Sequence, residues 1–401
     1  YDHHYGLWYE RRRDDHTMGR QANGDVAAPF YEQPFARTGA DSETAWDGLS
    51  KYDLAKFNPW YWNRLHDFVQ LCEERGLVLL HQNYFQHNIL EAGAHWADSP
   101  WRPANNVNDT DLPEPPPYIG DKRQFMAPSF YDVTNSKLRA LHRGYIRQCL
   151  DNFADTPNVI QMTSAEYSGP LEFTQFWLDT IIEWEREKGR DVLVGLSAPK
   201  DVQDAILADP ERASHVDVID IRYWAYTADG GVYAPGGGQN LAPRQHLRQT
   251  RQKSGGAAAI VKAVREYRDR FPDKAVVYSA EENCPSIRDG WATLIAGGSL
   301  ADVMLPRELA RIIPTMRPTD GITKGNSAWC LASTSGDFLI YSDRAEKSIV
   351  LTLPDEDALY RIQWIDPKTG DVAVDGEVAA GRQVRLPLKS KVLWLSRRSS
   401  P

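Results

Sequence analysis

The sequence predicts an α/β fold: a (β/α)8 TIM-type barrel over residues 1–325, followed by a small antiparallel β-sandwich over residues 326–401. Three observations predict it. Short β-rich runs alternate with amphipathic helical runs before residue 325, which is the pattern of a parallel sheet covered by helices. Helical patterns stop after that point, and only strand-like runs follow. The length of 401 residues also exceeds that of one typical domain.

The barrel strands are predicted as short apolar runs that follow helical patterns. The first helix begins at Asn58 and Pro59, an N-cap before proline in the first turn, and Gly76 ends it. The other predicted elements are helices over 135–153, 171–188 and 257–270, and strands over 77–82, 159–164, 192–196, 216–221, 275–279 and 302–305. Upstream there is one further strand candidate, residues 5–9. We therefore expect the barrel to be N-terminally incomplete in this chain.

Two long insertions, residues 84–133 and 225–255, each follow a predicted strand and precede a helix. In a parallel barrel such segments lie over the C-terminal ends of the strands, where barrel active sites are built. A doubly wound sheet is the alternative fold. No Gly-rich phosphate-binding motif follows any strand, which weighs against that alternative.

Charge and composition exclude several classes of function. The chain has 46 basic and 55 acidic residues and a net charge of -9, so no positive field attracts nucleic acid. No apolar stretch reaches the ~18 residues that a membrane span needs. The 13 Trp and 18 Tyr often stand beside polar residues, which is typical of sugar-binding surfaces and equally of an aromatic core. The four cysteines show no CxxC spacing and do not indicate a compartment.

The N-terminus gives an expectation about location. Tyr1 is not an initiator methionine, and no secretory signal sequence follows it. We expect a bacterial protein of the periplasm or the extracellular space from which a preceding segment has been removed. The oligomeric state stays open.

Carboxylates follow two of the predicted barrel strands. Glu166 comes directly after the fourth strand, and Glu281 and Glu282 follow the seventh. Glycoside hydrolysis needs a pair of carboxyl groups, one to protonate the departing oxygen and one to attack the anomeric carbon or activate water. Adjacent side chains at a strand end diverge, so one of the two later glutamates should face the cavity, and Glu281 is the choice. The structural alternatives are a helix-dipole role for Glu166 and a solvated acidic pair.

These glutamates resemble those of the retaining clan of barrel glycosidases, in which the fourth-strand residue is acid/base and the seventh-strand residue is the nucleophile. More narrowly, four segments resemble the apiosidase-like bacterial enzymes with a collagen-binding-like C-terminal β domain: residues 158–166, 290–292, 341–344 and 360–370. The resemblance implies that Glu166 is acid/base and Glu281 is the nucleophile. One residue departs from the pattern, because those enzymes carry an aspartate where this chain has Glu166. Linkage and sugar specificity are therefore not carried over.

Further candidates for substrate binding stand at the ends of strands and in the first insertion. They are His81, Asn83, Tyr84, Trp96, Arg222, Tyr223, Trp224 and Glu282. Arg222 can meet a uronic acid carboxylate or make a local ion pair. A metal held by His81, His87 and His95 is the competing interpretation for the histidines. Their spacing matches no standard zinc motif, so we expect no metal.

The function predicted from these features is a retaining, exo-acting glycoside hydrolase without cofactor, acting on a plant, algal or microbial polysaccharide fragment. Its expected partner is thus an oligosaccharide or polysaccharide, with no nucleic acid and no membrane span. Two alternatives remain: a non-catalytic carbohydrate-binding barrel, and a polysaccharide lyase that uses tyrosine and histidine in place of paired carboxylates.

Overall fold

The computed structural model covers the chain in segments. It describes residues 1–3, 33–39, 43–86, 89, 96, 99–114, 126–165, 167–234, 255–279, 289–324, 327–343, 347–354, 357–381 and 383–398. The early strand candidate, residues 5–9, lies outside them. The described residues fall into two compact units, one up to Val218 and one formed by Ile219–Ala234 with the described residues from 255 onward. The domain boundary predicted near residue 325 stays a prediction.

Strands and helices alternate along the first three quarters of the chain. The strands there are β1 (Asp2–His3), β2 (Phe35–Arg37), β3 (Tyr52–Phe57), β4 (Leu79–Phe85), β5 (Val159–Ala165), β6 (Leu193–Ser197), β7 (Val218–Ile221), β8 (Ala225–Tyr226), β9 (Val232–Tyr233) and β10 (Ala275–Tyr278). The helices are α1 (Pro59–Glu74), α2 (Ala127–Phe130), α3 (Ser136–Asn152), α4 (Leu171–Lys188), α5 (Lys200–Leu207), α6 (Pro210–Ser214), α7 (Gly256–Arg270), α8 (Gly290–Ile295) and α9 (Arg307–Ile312).

A six-stranded sheet runs in the order β1-β4-β5-β6-β7-β10. Its first pairs are parallel: His3 is in register with His81, Leu79 with Val159, and Ile160 with Leu193. Parallel strands joined through helices form the wall of a TIM-type barrel, and here the sheet is a partial one. The predicted α/β barrel fold is confirmed in this partial form.

Local sequence signals set the helix ends as predicted. The Asn58 side chain accepts a hydrogen bond from the Trp60 N–H at 3.1 Å, and Pro59 occupies the first turn of α1. Gly76, with φ of +66°, follows the end of that helix. Asn135 caps α3 in the same way through the Lys137 N–H at 3.0 Å. The Asn58 and Asn135 caps set where α1 and α3 begin, and Gly76 marks where α1 ends.

One predicted barrel strand is wrong. Residues 302–305 form no strand, and Val277 instead makes a parallel bridge with Ser299, whose N–H donates to the Val276 carbonyl at 2.7 Å. Leu300 then adopts a positive φ of 53° and turns the chain away from β10. The apolar run that follows is not buried as a strand would be, since Met304 is 58% exposed. Hydrophobicity alone made this segment resemble a strand.

The C-terminal region is antiparallel, as predicted. Its strands are β11 (Arg317–Thr319), β12 (Ala328–Ala332), β13 (Phe338–Ser342), β14 (Ser348–Leu351), β15 (Leu359–Ile365), β16 (Val372–Ala379), β17 (Val384–Pro387) and β18 (Val392–Arg397). A six-stranded sheet has the order β11-β12-β13-β18-β15-β16, and β14 pairs with β17. Ile349 and Leu386 of the short pair share one core with Ile340 and Leu393 of the larger sheet. The two sheets therefore pack face to face as a sandwich.

Among the helices of the described segments, none is both long enough and apolar enough to cross a lipid bilayer.

Candidate functional site

The carboxyl ends of β5 and β10 are where the sequence places its proposed acid and nucleophile. β5 ends at Ala165, directly before Glu166, and Ser279 is the last described residue before Glu281 and Glu282. All three glutamates lie outside the described residues. The surroundings of the two strand ends are described, and each contains a buried polar network.

The first network joins the end of β7 to the residue after β10. Asp220 is 2% exposed in a strand that is otherwise apolar, and Arg222 is 8% exposed. Arg222 Nε lies 3.2 Å from Asp220 Oδ2 and donates to Ser279 Oγ at 3.0 Å, and the Ser279 hydroxyl donates to Asp220 Oδ1. The Ser279 N–H donates to the Ile221 carbonyl at 3.1 Å. A buried carboxylate and guanidinium are thus paired where the chain approaches Glu281.

Tyr223 and Trp224 continue from this network into the interior. Their exposed fractions are 2% and 0%. The Trp224 ring packs edge-on against Tyr226 at 5.6 Å and against Tyr267 of α7 at 5.9 Å between ring centroids. Both rings are buried, with Trp224 held between β8 and α7. Direct contact of Tyr223 or Trp224 with a sugar stays a prediction.

The second network is centred on Asn83 of β4. Its Nδ2 donates to Gln161 Oε1 at 2.9 Å and lies 3.1 Å from His81 Nδ1, while its Oδ1 accepts from Trp177 Nε1 at 2.7 Å. Tyr145 OH donates to the Asn83 carbonyl at 2.5 Å. The structure thus brings His81 and Asn83 together, fully buried and hydrogen-bonded to side chains of β5, α3 and α4. Burial lowers the pKa of His81 to about 4, against the opposing effect of the hydrogen bond to Gln161 Oε1, so the ring is neutral at pH 7.

Tyr84 takes part in a different cluster. Its hydroxyl lies 2.9 Å from His142 Nδ1, and His142 Nε2 lies 2.9 Å from the Phe130 carbonyl. A carbonyl can only accept, so Nε2 carries the proton and Nδ1 accepts from Tyr84. Trp101 stacks on the imidazole at 4.5 Å between centroids. Burial lowers the pKa of His142 to about 4, so this ring is also neutral.

Trp96 lies in the first insertion and is fully buried. Its ring meets Phe130 edge-on at 6.4 Å between centroids. Among the described residues, no acceptor lies within hydrogen-bond distance of its Nε1. Most of its sequence neighbours between 87 and 98 are outside the described part of the chain, so its predicted contact with a sugar stays a prediction.

Sequence reasoning did not single out several members of these networks. Gln161 and His142 lie inside a strand and a helix, where their only sequence mark is a polar residue at a buried position. Asp220 has a clearer mark, because a carboxylate in the run Val218–Ile221 interrupts an apolar strand. A carboxylate in an apolar strand requires a polar partner, which Arg222 and Ser279 supply here.

No metal centre is evident in the described segments. Within them, no group of three or more His, Cys, Asp or Glu side chains is arranged to hold an ion. Cys72, Cys149 and Cys330 are free and buried. His87 and His95 lie outside the described residues, so the prediction of no metal stays a prediction.

Comparison with known protein families assigns the chain to one of them. A family model described as a domain of unknown function, DUF6298, matches residues 1–315. The chain belongs to the DUF6298 family. The comparison of this DUF6298 chain with curated protein sequences finds no match.

Solved structures similar to this DUF6298 chain include glycoside hydrolases. One, described as a glycoside hydrolase, has a TM-score of 0.51 and 11% identity, and the match covers 86% of this chain and 81% of that chain. A glycoside hydrolase of family 5 from Bacteroides vulgatus has a TM-score of 0.49 and 11% identity, with 86% of this chain and 78% of that chain covered. At this identity the first likeness shows the fold alone, which is the α/β barrel type described above. The narrower resemblance to apiosidase-like enzymes stays a prediction.

Proposed function

We propose that this chain is a retaining glycoside hydrolase with Glu281 as nucleophile and Glu166 as acid/base. One observation carries the proposal: β5 and β10 belong to one parallel sheet, and each is followed within three residues by a glutamate. Carboxyl ends of parallel barrel strands face the same side, where barrel enzymes build their active sites. A similar solved structure carries the description glycoside hydrolase, which agrees with this chemistry.

The proposed reaction has two displacements. The Glu281 carboxylate attacks the anomeric carbon and forms a glycosyl ester as the glycosidic C–O bond breaks, and Glu166 gives its proton to the leaving oxygen. Glu166 then takes a proton from water, whose oxygen attacks the anomeric carbon and releases Glu281. This course requires the two carboxyl groups about 5–5.5 Å apart, whereas inversion requires roughly 6.5–9.5 Å.

The network at β7 supports a fixed course of the chain that leads to the proposed nucleophile. Arg222 donates to the Ser279 hydroxyl, and Ser279 precedes Glu281 by two residues in the sequence. The Arg222 charge is paired with Asp220, so the proposed contribution of this network is orientation through Ser279. We propose that Arg222 and Glu282 contact the sugar, with Tyr223 and Trp224 behind them. His81, Asn83 and Tyr84 would have to exchange internal partners for sugar hydroxyls, so their proposed contribution is to the shape of the site.

Product analysis on defined oligosaccharides tests the proposal. We expect hydrolysis in which the first-formed sugar keeps the anomeric configuration of the substrate, measured by proton NMR. Glu281→Gln and Glu166→Gln should each lose most activity, and Glu282→Gln should retain more. An inverted product contradicts the retaining mechanism. An unsaturated product that absorbs in the ultraviolet identifies a lyase, and bound but intact ligand identifies a sugar-binding barrel.

We also propose an exo mode of action on a polysaccharide fragment, in the bacterial periplasm or outside the cell, where such polymers are met. Release of single terminal sugars from a long oligosaccharide, with the remaining chain shortened stepwise, tests the exo mode. Early appearance of mid-length fragments contradicts it. Cell fractionation of the native host tests the location.

A further inference from the structure

The turn that follows Glu166 is held by a glutamine from the neighbouring strand. The Ser168 N–H donates to Gln86 Oε1 at 2.8 Å, and Gln86 Nε2 donates to Ser168 Oγ at 2.8 Å. The two residues are 82 positions apart in sequence, and both are 1% exposed. A pair of hydrogen bonds in opposite directions fixes both the position and the orientation of this backbone segment.

Gln86 is itself fixed from a third direction. Tyr131, just after α2, donates its hydroxyl to Gln86 Oε1 at 3.1 Å and is 3% exposed. The amide oxygen therefore accepts two hydrogen bonds and the amide nitrogen donates one, all within the protein interior. Removing one partner of a buried hydrogen bond is destabilising because the other is left unsatisfied. This side chain therefore has one preferred position.

The far side of the same turn is equally constrained. Tyr167 is fully buried, and its hydroxyl donates to the Pro170 carbonyl at 3.0 Å and accepts from Thr174 Oγ1 at 3.2 Å. A Cβ at Gly169 would lie 2.6 Å from the Tyr167 ring, so the backbone wraps closely around that ring. Helix α4 begins directly afterwards at Leu171. Residues 167–170 are thus held on both sides.

The strand register places Gln86 directly after the last residue pair of β4 and β5. β4 and β5 are paired with Tyr84 opposite Ser164 and Phe85 opposite Ala165. One position beyond the last pair, the two chains carry Gln86 and Glu166. A glutamine that fixes the backbone two residues after a catalytic carboxylate limits how far that carboxylate can move. Misplacement of a reacting group by ~1 Å can cost 10²-fold in rate.

We propose that Gln86 is a positioning residue for the acid/base carboxyl of Glu166, an inference that rests on the proposed function. Gln86 acts through the Ser168 backbone and takes no part in bond making. Its loss should therefore impair proton donation to the leaving group more than it impairs attack on the anomeric carbon. This selectivity separates a positioning role from general structural support.

The experiment compares aryl glycosides with poor and activated leaving groups, because only poor leaving groups need protonation. Gln86→Ala should lower kcat/KM for the poor leaving group by roughly 10- to 100-fold and for the activated one by less than about threefold. In a Glu166→Ala background, Gln86→Ala should cause no further loss. Gln203→Ala is the matched control, since this buried glutamine on α5 donates to the Leu196 carbonyl at 2.9 Å, away from the turn.

A second variant keeps the test decisive if Gln86→Ala fails to fold. Gln86→Glu retains an acceptor for the Ser168 N–H and Tyr131 OH but loses the amide donor to Ser168 Oγ. It should lower kcat/KM for the poor leaving group by about threefold to tenfold and leave kcat/KM for the activated one within about twofold of the parent. An equal loss for both substrates overturns the proposal.

Equal losses for both leaving groups, or a loss that persists without Glu166, also overturn the positioning role. The proposed function has its own separate failure. If Glu166→Ala shows no dependence on the leaving group, the glycosidase assignment of Glu166 is wrong whatever Gln86 does. If Glu166→Ala shows that dependence and Gln86→Ala does not, the positioning role alone is wrong.

Discussion

Arg222 Nε and Ser279 Oγ lie 3.0 Å apart and connect the end of one barrel strand to the residue after another. Asp220 completes the group, with Oδ2 at 3.2 Å from the same nitrogen. Because the Ser279 hydroxyl donates to the carboxylate and accepts from the guanidinium, its orientation is fixed by both charges. Two residues later the chain carries Glu281. We therefore expect the Asp220–Arg222 ion pair to influence the position of the proposed nucleophile through Ser279.

Ser279→Ala should lower kcat by about tenfold with little change in KM. The substitution removes two hydrogen bonds to charged groups and leaves the Asp220–Arg222 pair in place, and a loss of ~1.4 kcal/mol in the transition state is a tenfold change in rate. Steady-state kinetics on an aryl glycoside measures it. In a Glu281→Gly background rescued by azide, Ser279→Ala should have no effect, because no carboxylate remains to be placed. A persistent effect would mean that Ser279 acts on the substrate.

The part of the fold that sequence predicted is the part set by local patterns. The cap at Asn58, the start of the helix near residue 135 and the apolar runs at β5 and β6 depend on neighbouring residues, and they were placed to within a residue or two. Gln86 was not identified as important. Its partner Ser168 is 82 residues away, and only strand register makes them neighbours. A polar residue's function is thus set by contacts that periodicity does not encode.

The two buried imidazoles should make stability depend on pH. The pKa values of His81 and His142 fall to about 4, from an ordinary value of 6.5, because burial disfavours the charged ring. Between these values the unfolded chain binds more protons than the folded one. The stability is therefore full above pH ~6.5 and is lost as the pH falls toward 4, by up to roughly 3 kcal/mol for each ring.

Urea denaturation at several pH values in that window measures the effect. His142→Gln should be less stable than the parent at neutral pH, since its packing against Trp101 is lost. The variant should lose less further stability on acidification, because one titrating group is gone. An unchanged slope between the parent and this variant would show that His142 is not titrating as described.

Asp289 should contribute more to stability than Tyr341, because it has two roles. Its Oδ1 caps α8 by accepting from the Ala292 N–H at 3.0 Å, and its Oδ2 accepts from Tyr341 OH of β13 at 2.9 Å. Tyr341→Phe should lower the free energy of unfolding by about 1 kcal/mol. Asp289→Ala should lower it by about 2–3 kcal/mol, the loss of a cap and a hydrogen bond together. Equal effects in urea denaturation would argue against the capping role of Oδ1.

Activity should survive removal of metal ions. The proposed chemistry needs two carboxyl groups and water. His81, the candidate metal ligand among the described residues, is hydrogen-bonded within the protein interior. Exhaustive dialysis against EDTA followed by a rate measurement checks this. Loss of activity that a divalent ion restores would instead implicate His87 and His95, and His87→Ala would then be expected to abolish the restoration.

Two glycine substitutions should change stability in opposite directions. Gly144 lies in the middle of α3, and a Cβ there would meet nothing within 4 Å. Gly144→Ala should therefore raise the free energy of unfolding by roughly 0.5–1 kcal/mol, since glycine is a poor helix residue.

Gly290 begins α8, and a Cβ there would lie 2.0 Å from the Asp302 carbonyl oxygen. That oxygen belongs to the backbone of the segment that turns away from β10 after Leu300, so Gly290→Ala must displace α8 or this segment and should cost about 2–3 kcal/mol. Thermal unfolding of both variants beside the parent measures the contrast, and a stable Gly290→Ala variant would show that residues 301–306 do not lie against the first turn of α8.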